Sequence, residues 1–453
     1  MSKSSQLKRS SFPSLSRKAS RETQGDNAPS ARKKILIIAH NHPDFFAGGG
    51  EIAAYRMFLE LKKSDAYIPT FLGATGKISR EPHAGTPFLS HEGREDEYLF
   101  WCGSFDYFQQ SLRDSVLLYR DFARFLEERK PDIIHFHHTL RIGIEALKVA
   151  RDVLPDAKII YTLHDFIPMC YRDGQMVRKT DESLCDKATP ARCHECFPDV
   201  SSARFKAREM FIKTHFNVVD MFVSPSHFLA ERFIAWGIPE HKIKVIDNGF
   251  PTVNTSTPIR SQPTPRLERY HRFGFFGQIS PYKGTMLIMD AAQQLLESGI
   301  TDFQVHIHGN IGLQTDAYKE EFQERLKECG SHVQFHGVYQ QSDLGKIMRE
   351  VDWVVMPSIW WENAPLVIAE AQHYGRPVIC SDIGGMAEKV QHEVNGLHFR
   401  ARSSQHLKDM MERAILEKGL WEKLISGITP PLTIAESVKR YTQYYESSTP
   451  VIR

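Results

Sequence analysis

Long apolar runs are what this 453-residue sequence most plainly lacks. No stretch approaches the roughly 18–20 uninterrupted apolar residues that a membrane-spanning helix needs. The N-terminus carries no apolar core of the kind that marks a secretory signal, so the cytoplasm is the expected compartment. Cysteine is scarce too: seven residues, an odd number, which does not suit a secreted disulfide framework. Nor does one sign of charge dominate, with 57 Lys/Arg set against 55 Asp/Glu. Residues 1–34 hold nine Lys/Arg against Glu22 and Asp26, a local +7 within a total of +2, which leaves about −5 for the rest. A mildly acidic body argues against nucleic acid as a partner, because that function calls for a basic field.

What is present is a globular composition, 41% hydrophobic and 25% charged, at a length that suggests two domains plus extras. Residues 1–32, rich in Ser and basic residues and poor in apolar ones, are expected to form a disordered tail, either solvated or touching anionic lipid. From Lys33 the run KKILIIAH reads as a strand buried on both faces. A Gly-rich turn, Phe46–Gly50, and an amphipathic helix, EIAAYRMFLELKK, follow it. Strand-like PDIIHFHH, KIIYTLHD and MFVSPS then alternate with helix-period segments such as SVLLYRDFARFLEERK, the pattern of a doubly wound α/β domain. A Pro/Thr/Ser-rich linker near Pro251–Glu268 interrupts the alternation, which restarts with RFGFFGQI, FQVHIHGN, HVQFHGVY, DWVVMPS and RPVICSD. The expected organisation is an N-terminal domain over 33–255 with an insert at 166–200, and a C-terminal domain over 269–430. A final segment, 431–453, opens at Thr433 as a helix that crosses back.

Ligands of open α/β sheets bind beyond the carboxyl ends of strands, and the distinctive residues fall there: His40, His137–His138, His164–Asp165, Gly277, His308–Gly309 and Pro357–Ser358. In WENAPLVIAEA, Glu362 and Glu370 stand eight apart, the first in a turn and the second in a helix that Pro365 opens. Free N–H groups at such a helix start suit a diphosphate, and a carboxylate further in can accept from a ribose diol. Solvated glutamates on an amphipathic helix are the plainer alternative.

The segment PSIWWENAPLVIAEAQHYGRPVICSDIGG resembles the E-x7-E segment of retaining glycosyltransferase family 4, which has the GT-B fold of two Rossmann-like domains facing across a cleft. Gly48–Glu51, YTLHD, SPSHF, VIDNGF, FFGQISPYKG and EVNGLHF occur in that family's order, and the likeness runs over about 33–447. The resemblance implies that Glu370 binds the nucleotide ribose, while Glu362 sits by the donor sugar. It implies that Asn363, Ala364, Pro365 and Leu366 meet sugar and phosphate. Lys283 pairs with the diphosphate, an electrostatic role in stabilising the leaving group. Gly277 and Gly284 give close backbone approach, Gly49 and Gly50 reach the phosphate from across the cleft, and His164 touches the donor sugar. Gln278 departs from the pattern, since many relatives carry arginine there. The diphosphate loses a cation unless Arg272 or Arg376 replaces it.

The expected reaction is transfer from a nucleoside diphosphate sugar, UDP- or GDP-linked, to a sugar or lipid-linked saccharide acceptor, without a catalytic metal. No Asp-x-Asp motif of the Mn²⁺-binding kind is present. Polysaccharide, lipopolysaccharide or glycolipid assembly at the inner face of the cytoplasmic membrane is the implied setting. A silent sugar-nucleotide-binding subunit and a sugar-nucleotide epimerase are the alternatives. His135, His137 and His138 are expected to wall the acceptor side. Cys170, Cys185, Cys193 and Cys196 fall within 27 residues and end in C-x2-C, which suits a structural zinc, with unpaired thiols, an iron–sulfur cluster or a disulfide as competitors. The helix SSARFKAREMFIKTHF carries Arg204, Lys206, Arg208 and Lys213, either a membrane-facing basic surface or a solvated one.

Overall fold

The computed structural model describes residues 32–46, 48–76, 85–91, 93–251 and 271–447. The expected basic tail, except Arg32, lies outside these residues, and so does nearly all of the Pro/Thr/Ser-rich linker. In chain order the first strands are β1 (Lys33–Ala39), β2 (Tyr67–Thr75), β3 (Phe88–His91), β4 (Arg94–Trp101), β5 (Phe105–Asp106), β6 (Ser111–Leu112), β7 (Ile133–Phe136) and β8 (Lys158–Thr162). They continue with β9 (Met221–Ser224), β10 (Ile243–Val245), β11 (Arg272–Phe276), β12 (Gln304–His308), β13 (Val333–Gly337), β14 (Trp353–Met356), β15 (Val378–Ser381) and β16 (Gly396–Phe399).

Two sheets result. The first has the order β10-β9-β8-β7-β1-β2-β4-β3 and is parallel apart from β3, while β5 and β6 form a separate hairpin. The second, β13-β12-β11-β14-β15-β16, is parallel throughout. Helices cover both faces of β1, so Ile35–Ala39 are all buried, as the unbroken apolar run requires. Each sheet reverses its strand order at a central strand. In the first this happens between β1 and β7, with Ile38 opposite Phe136, and in the second between β11 and β14, with Phe273 opposite Trp353. Such switch points open a crevice at the carboxyl edge. His40 and His137 follow the strands of the first crevice, and Gly277 and Pro357 those of the second.

The helix Ile434–Glu446 starts in a full capping box, in which Thr433 and Glu436 satisfy each other's backbone N–H groups. It packs on the first sheet rather than the second. Tyr441 and Tyr445 are buried with Ile37, Met57 and Ile160, and Lys158 Nζ reaches the Tyr444 carbonyl at 2.7 Å. Phe250 and Thr433 bridge the chain's exit from the first sheet to the start of this helix.

Two local expectations need correction. SVLLYRDFARFLEERK opens not as a regular helix but as a π-helical turn, Leu117–Phe122, before the helix Ala123–Arg129. The helix Ser202–Phe216 has no continuous basic face, because Arg208 is buried and its guanidinium donates to the carbonyls of Phe108, Pro168 and Ile167. Arg204, Lys206 and Met210 remain exposed on it. No helix of the described residues is long and apolar enough to cross a membrane.

His135 is not part of an acceptor wall. It is fully buried, with Nδ1 2.7 Å from the Tyr445 hydroxyl and Nε2 2.7 Å from Thr162 Oγ1, so it fastens the crossing helix to the sheet. Tyr445→Phe leaves a buried ring nitrogen without its partner. Chemical denaturation should show a loss of about 2 kcal/mol, the usual cost of such an orphan.

Candidate functional site

The second sheet's side of the cleft is built by two turns that glycines bring together. After β11, Gly277 has φ +143°. A Cβ there would meet nothing, and the close approach expected of Gly277 belongs to Gly309, whose Cβ would stand 1.8 Å from the Gly277 carbonyl oxygen. The chain then makes a single 3-10 turn, Pro281–Lys283, closed by Gly284 at φ +72°. A Cβ on Gly284 would lie 2.0 Å from the Pro357 carbonyl oxygen, so only glycine lets Lys283 reach the segment after β14.

There Lys283 Nζ sits 2.6 Å from Glu362 Oε1. Ser358 Oγ and the Trp360 indole N–H donate to the same oxygen, each at 2.8 Å. Among the described residues no protein donor is recorded on Oε2, which makes it the oxygen able to face a ligand. Burial by itself raises the pKa of Glu362, but the Lys283 charge and these hydrogen bonds outweigh it, and the net shift is downward. The Gly385 N–H donates to the Glu362 carbonyl at 2.6 Å, and a Cβ on Gly385 would fall 1.8 Å from the Asn363 carbonyl oxygen.

Pro365 precedes the helix Leu366–His373, which has no side-chain cap, so the N–H groups of Leu366 and Val367 point out of its start. Ala364, Pro365 and Leu366 also line a cavity of about 50 Å³ with Asp247 and Lys389. One turn further along, Glu370 is buried and accepts from Gln341 Nε2 at 3.1 Å. Burial raises its pKa against the opposing effects of Gln341 and of Arg56, which reaches over from the first domain.

The facing wall starts at Gly49 and Gly50, the first residues of the helix Gly49–Leu61. A Cβ on Gly49 would lie 3.9 Å from Leu366 Cδ1, and one on Gly50 would press on the His164 ring at 3.3 Å. The glycine loop thus lies between the donor-type helix start and His164. Burial lowers the His164 pKa to about 4, with Asp165 opposing and His138 and His40 reinforcing, so the imidazole is neutral at physiological pH. It stacks on His137, with a ring nitrogen pair at 2.9 Å, and its carbonyl accepts from Asn363 Nδ2 at 2.9 Å across the cleft. His138 lies 3.1 Å from Asp165.

Among the described residues, three buried polar atoms along this cleft have no partner: Arg56 Nη1, His137 Nε2 and Asn363 Oδ1. Such orphans are rare and costly, and several of them in one region fit a site that a polar ligand completes.

Of the residues singled out in the sequence, Gly49, Gly50, His164, Lys283, Asn363, Leu366, Glu362 and Glu370 come together here, with Ala364 and Pro365 beside them. Gln278 is exposed at the rim. Neither arginine offered in its place serves. Arg272 pairs bidentately with Asp352 at 3.0 Å at the opposite end of β11, and Arg376 donates to the Met348 carbonyl.

Sequence reasoning missed Arg56 and Gln341, which lie outside the most visible motif, and gave no role to Ser358, Trp360 and Gly385, which lie within it. It also passed over a buried cluster beneath the glycine loop. Glu51 there meets His40 at 2.8 Å and Asn41 at 3.0 Å. Against the opposing effect of burial, these bring its pKa down to about 2. The signal available was the placement of His40–Asn41 at a strand end just before Gly48–Glu51. Nearby, His42, Asp44 and His91 bring ligand-type atoms within 4.8 Å of one another, but Asp44 already pairs with Arg94 and His42 with Glu97, each at 2.9 Å.

Comparison with known proteins gives the family and the fold. Residues 80–253 match the family model described as Glycosyltransferase Family 4, and residues 258–428 match Glycosyl transferases group 1. The chain belongs to glycosyltransferase family 4. Its GT-B fold is shared with crystallised Anabaena HepE in complex with UDP and glucose, at a TM-score of 0.62 and 18% identity over 91% of this chain and 99% of that one. Sucrose-phosphate synthase of Thermosynechococcus elongatus is similar at a TM-score of 0.64 and 16% identity, over 91% and 98% of the two chains.

Among curated relatives, the D-inositol 3-phosphate glycosyltransferase of Jonesia denitrificans is 34% identical over 159 residues, 34% of this chain and 37% of that protein. The lipopolysaccharide 1,2-N-acetylglucosaminetransferase of Salmonella typhimurium is 26% identical over 43% of this chain and 53% of its own length. These matches span about half the relatives' length or less. An Escherichia coli UDP-Gal:alpha-D-GlcNAc-diphosphoundecaprenol alpha-1,3-galactosyltransferase aligns more fully, 22% identical over 70% of this chain and 76% of that one.

The Lys283–Glu362 pair sets a pH-dependent stability for this family 4 member. Because the folded pKa of Glu362 is depressed, the pair's contribution is full above the ordinary glutamate value and fades as pH falls through the lower folded value. In Lys283→Met the sign reverses, since burial now dominates and raises the carboxyl's pKa. Denaturation at pH 7 should show a loss of about 3 kcal/mol, typical of a buried pair stripped of one partner, and the loss should shrink at pH 5 as Glu362 protonates.

Proposed function

We propose that the protein transfers a sugar from a UDP- or GDP-linked donor to an acceptor hydroxyl, with retention of configuration at the anomeric carbon. The observation that carries this reading is the placement of two buried carboxylates, Glu362 and Glu370, on either side of an uncapped helix start that faces a glycine loop from the other domain.

The diphosphate lies between the N–H groups of Leu366 and Val367, the amides at Gly49 and Gly50, and the Lys283 ammonium. In the unliganded protein Lys283 is held by Glu362, and a bound diphosphate draws on the same ammonium. As the sugar–phosphate bond breaks, negative charge grows on the departing oxygen, and Lys283 and the helix-start amides stabilise it. A fixed donor of this kind contributes a factor of about 10²–10³.

Glu370 accepts from the ribose hydroxyls, trading solvent-free burial for two hydrogen bonds. The sugar ring lies against neutral His164, Asn363 and the free Oε2 of Glu362, which hold it in the reactive pose. Arg56, pointing at Glu370 from the first domain, ties nucleotide binding to closure of the cleft. With Gln278 uncharged, Lys283 and Arg56 are the cations this chain brings towards the donor.

The acceptor enters from the first domain, as a saccharide or lipid-linked saccharide in polysaccharide, lipopolysaccharide or glycolipid assembly. Exposed Arg204, Lys206 and Met210 on the helix Ser202–Phe216 offer a small amphipathic surface for contact with the membrane carrying it.

A panel of UDP-, GDP-, ADP- and dTDP-sugars separates the readings. One donor should raise the melting temperature, the rise should vanish in Glu370→Ala, and incubation with acceptor sugars should give an α product from an α-linked donor by NMR. Donor binding without turnover against any acceptor would instead identify a silent sugar-nucleotide-binding subunit.

A further inference from the structure

The insert between β8 and β9 presents a packing problem. From Arg178 to Val200 not one side chain is buried, yet the segment holds a β-bridge between Val177 and Leu184 and a helix, Pro190–Cys196. Its side-chain ties include the surface ion pairs Arg178–Glu195 and Arg192–Asp186, each worth little in water. A segment with no core of its own needs a staple.

Cys170, Cys185, Cys193 and Cys196 line one cavity of about 20 Å³ in the middle of this insert, and none is in a disulfide. Cys185 Sγ lies 3.5 Å from the Lys187 carbonyl, to which its thiol donates. A set of four soft sulfurs selects zinc among the common divalent ions.

We propose that Cys170, Cys185, Cys193 and Cys196 bind one zinc-class divalent ion that holds the insert in shape. Among the described residues no three of these sulfurs lie within 4.8 Å of one another. Tetrahedral bonds of about 2.3 Å place them about 3.8 Å apart, so side-chain rotation has to draw the set inward.

The ion's place in the fold gives it a second consequence. The Cys185 carbonyl accepts the Trp361 indole N–H at 3.1 Å, next to Glu362. Arg172 donates to the Tyr282 hydroxyl at 2.7 Å, next to Lys283, while also holding the Val177 and Arg178 carbonyls. The insert therefore braces, from the first domain, the two segments that carry the Lys283–Glu362 pair, and the ion stiffens the brace.

Elemental analysis of the full-length protein purified from zinc-supplemented cells should find about one zinc per chain, falling to near zero in Cys193→Ser. Cobalt(II) added to protein stripped of metal should give thiolate charge-transfer and tetrahedral ligand-field bands. Hydrogen exchange should speed up on stripping over 178–200 and around Trp361, and slow again when zinc is restored. Metal-free wild type that gives no tetrahedral cobalt spectrum would overturn the proposal. So would iron with acid-labile sulfide in place of zinc, or stripping that leaves exchange at 178–200 unchanged.

Discussion

Lys283 and Glu362 come from turns 79 residues apart, yet their side chains meet at 2.6 Å in a place with little water. A buried charge pair of this kind stabilises a fold only when its geometry is good and its remaining lone pairs are satisfied. Much of the second domain's local structure meets that condition. Gly284 lets Lys283 approach, Gly385 lets the Glu362 turn fold back on the chain, and Ser358 and Trp360 complete the shell around one carboxylate oxygen. The result is a cation held ready beside a helix start whose own N–H groups are unpaired.

The rest of the chain places a second surface against this one. The two sheets open their crevices at β1/β7 and β11/β14, so the same topological rule, applied twice, yields two half-sites. Three features join them. The helix Ile434–Glu446 returns to the first sheet and is pinned through Tyr445 to His135. Asn363 bonds to the His164 carbonyl. The cysteine-bearing insert reaches Trp361 and Tyr282. Arg56 beside Glu370 adds an electrostatic link, since its positive charge opposes the rise that burial gives the carboxyl's pKa.

Much of this was legible in the sequence because the elements are regular. KKILIIAH can only be a strand covered on both faces, and the Pro/Thr/Ser-rich interruption between two alternating halves marks two α/β units. Glu362 and Glu370 were visible because their segment resembles the E-x7-E segment of family 4, whereas their spacing alone also allowed solvated glutamates on an amphipathic helix. What stayed hidden depends on contacts between distant segments. Nothing local to His135 distinguishes it from His137, since a tyrosine 310 residues away decides that one is a clasp and the other faces the cleft. Arg208 looked like part of a basic helical face until three carbonyls from other loops claimed it. Arg56 and Gln341 carry no motif, and their roles exist only once the chain is folded. The cysteines were conspicuous as a group, but their link to the donor segments runs through a backbone carbonyl and an arginine that spacing does not reveal.

In the proposed function Glu362 holds Lys283 in readiness and gives it up to a diphosphate. Calorimetric titration of UDP and GDP into wild type, Lys283→Ala and Glu362→Gln tests this most directly. Lys283→Ala should weaken the preferred nucleotide by about tenfold or more, as loss of a charge-assisted contact of about 1.5–3 kcal/mol requires. Glu362→Gln should bind the bare diphosphate at least as tightly as wild type, because it removes both the competing partner and a negative charge. If Glu362→Gln instead loses affinity as severely as Lys283→Ala, the carboxylate is not a placeholder for the diphosphate, and the pair is a structural clasp.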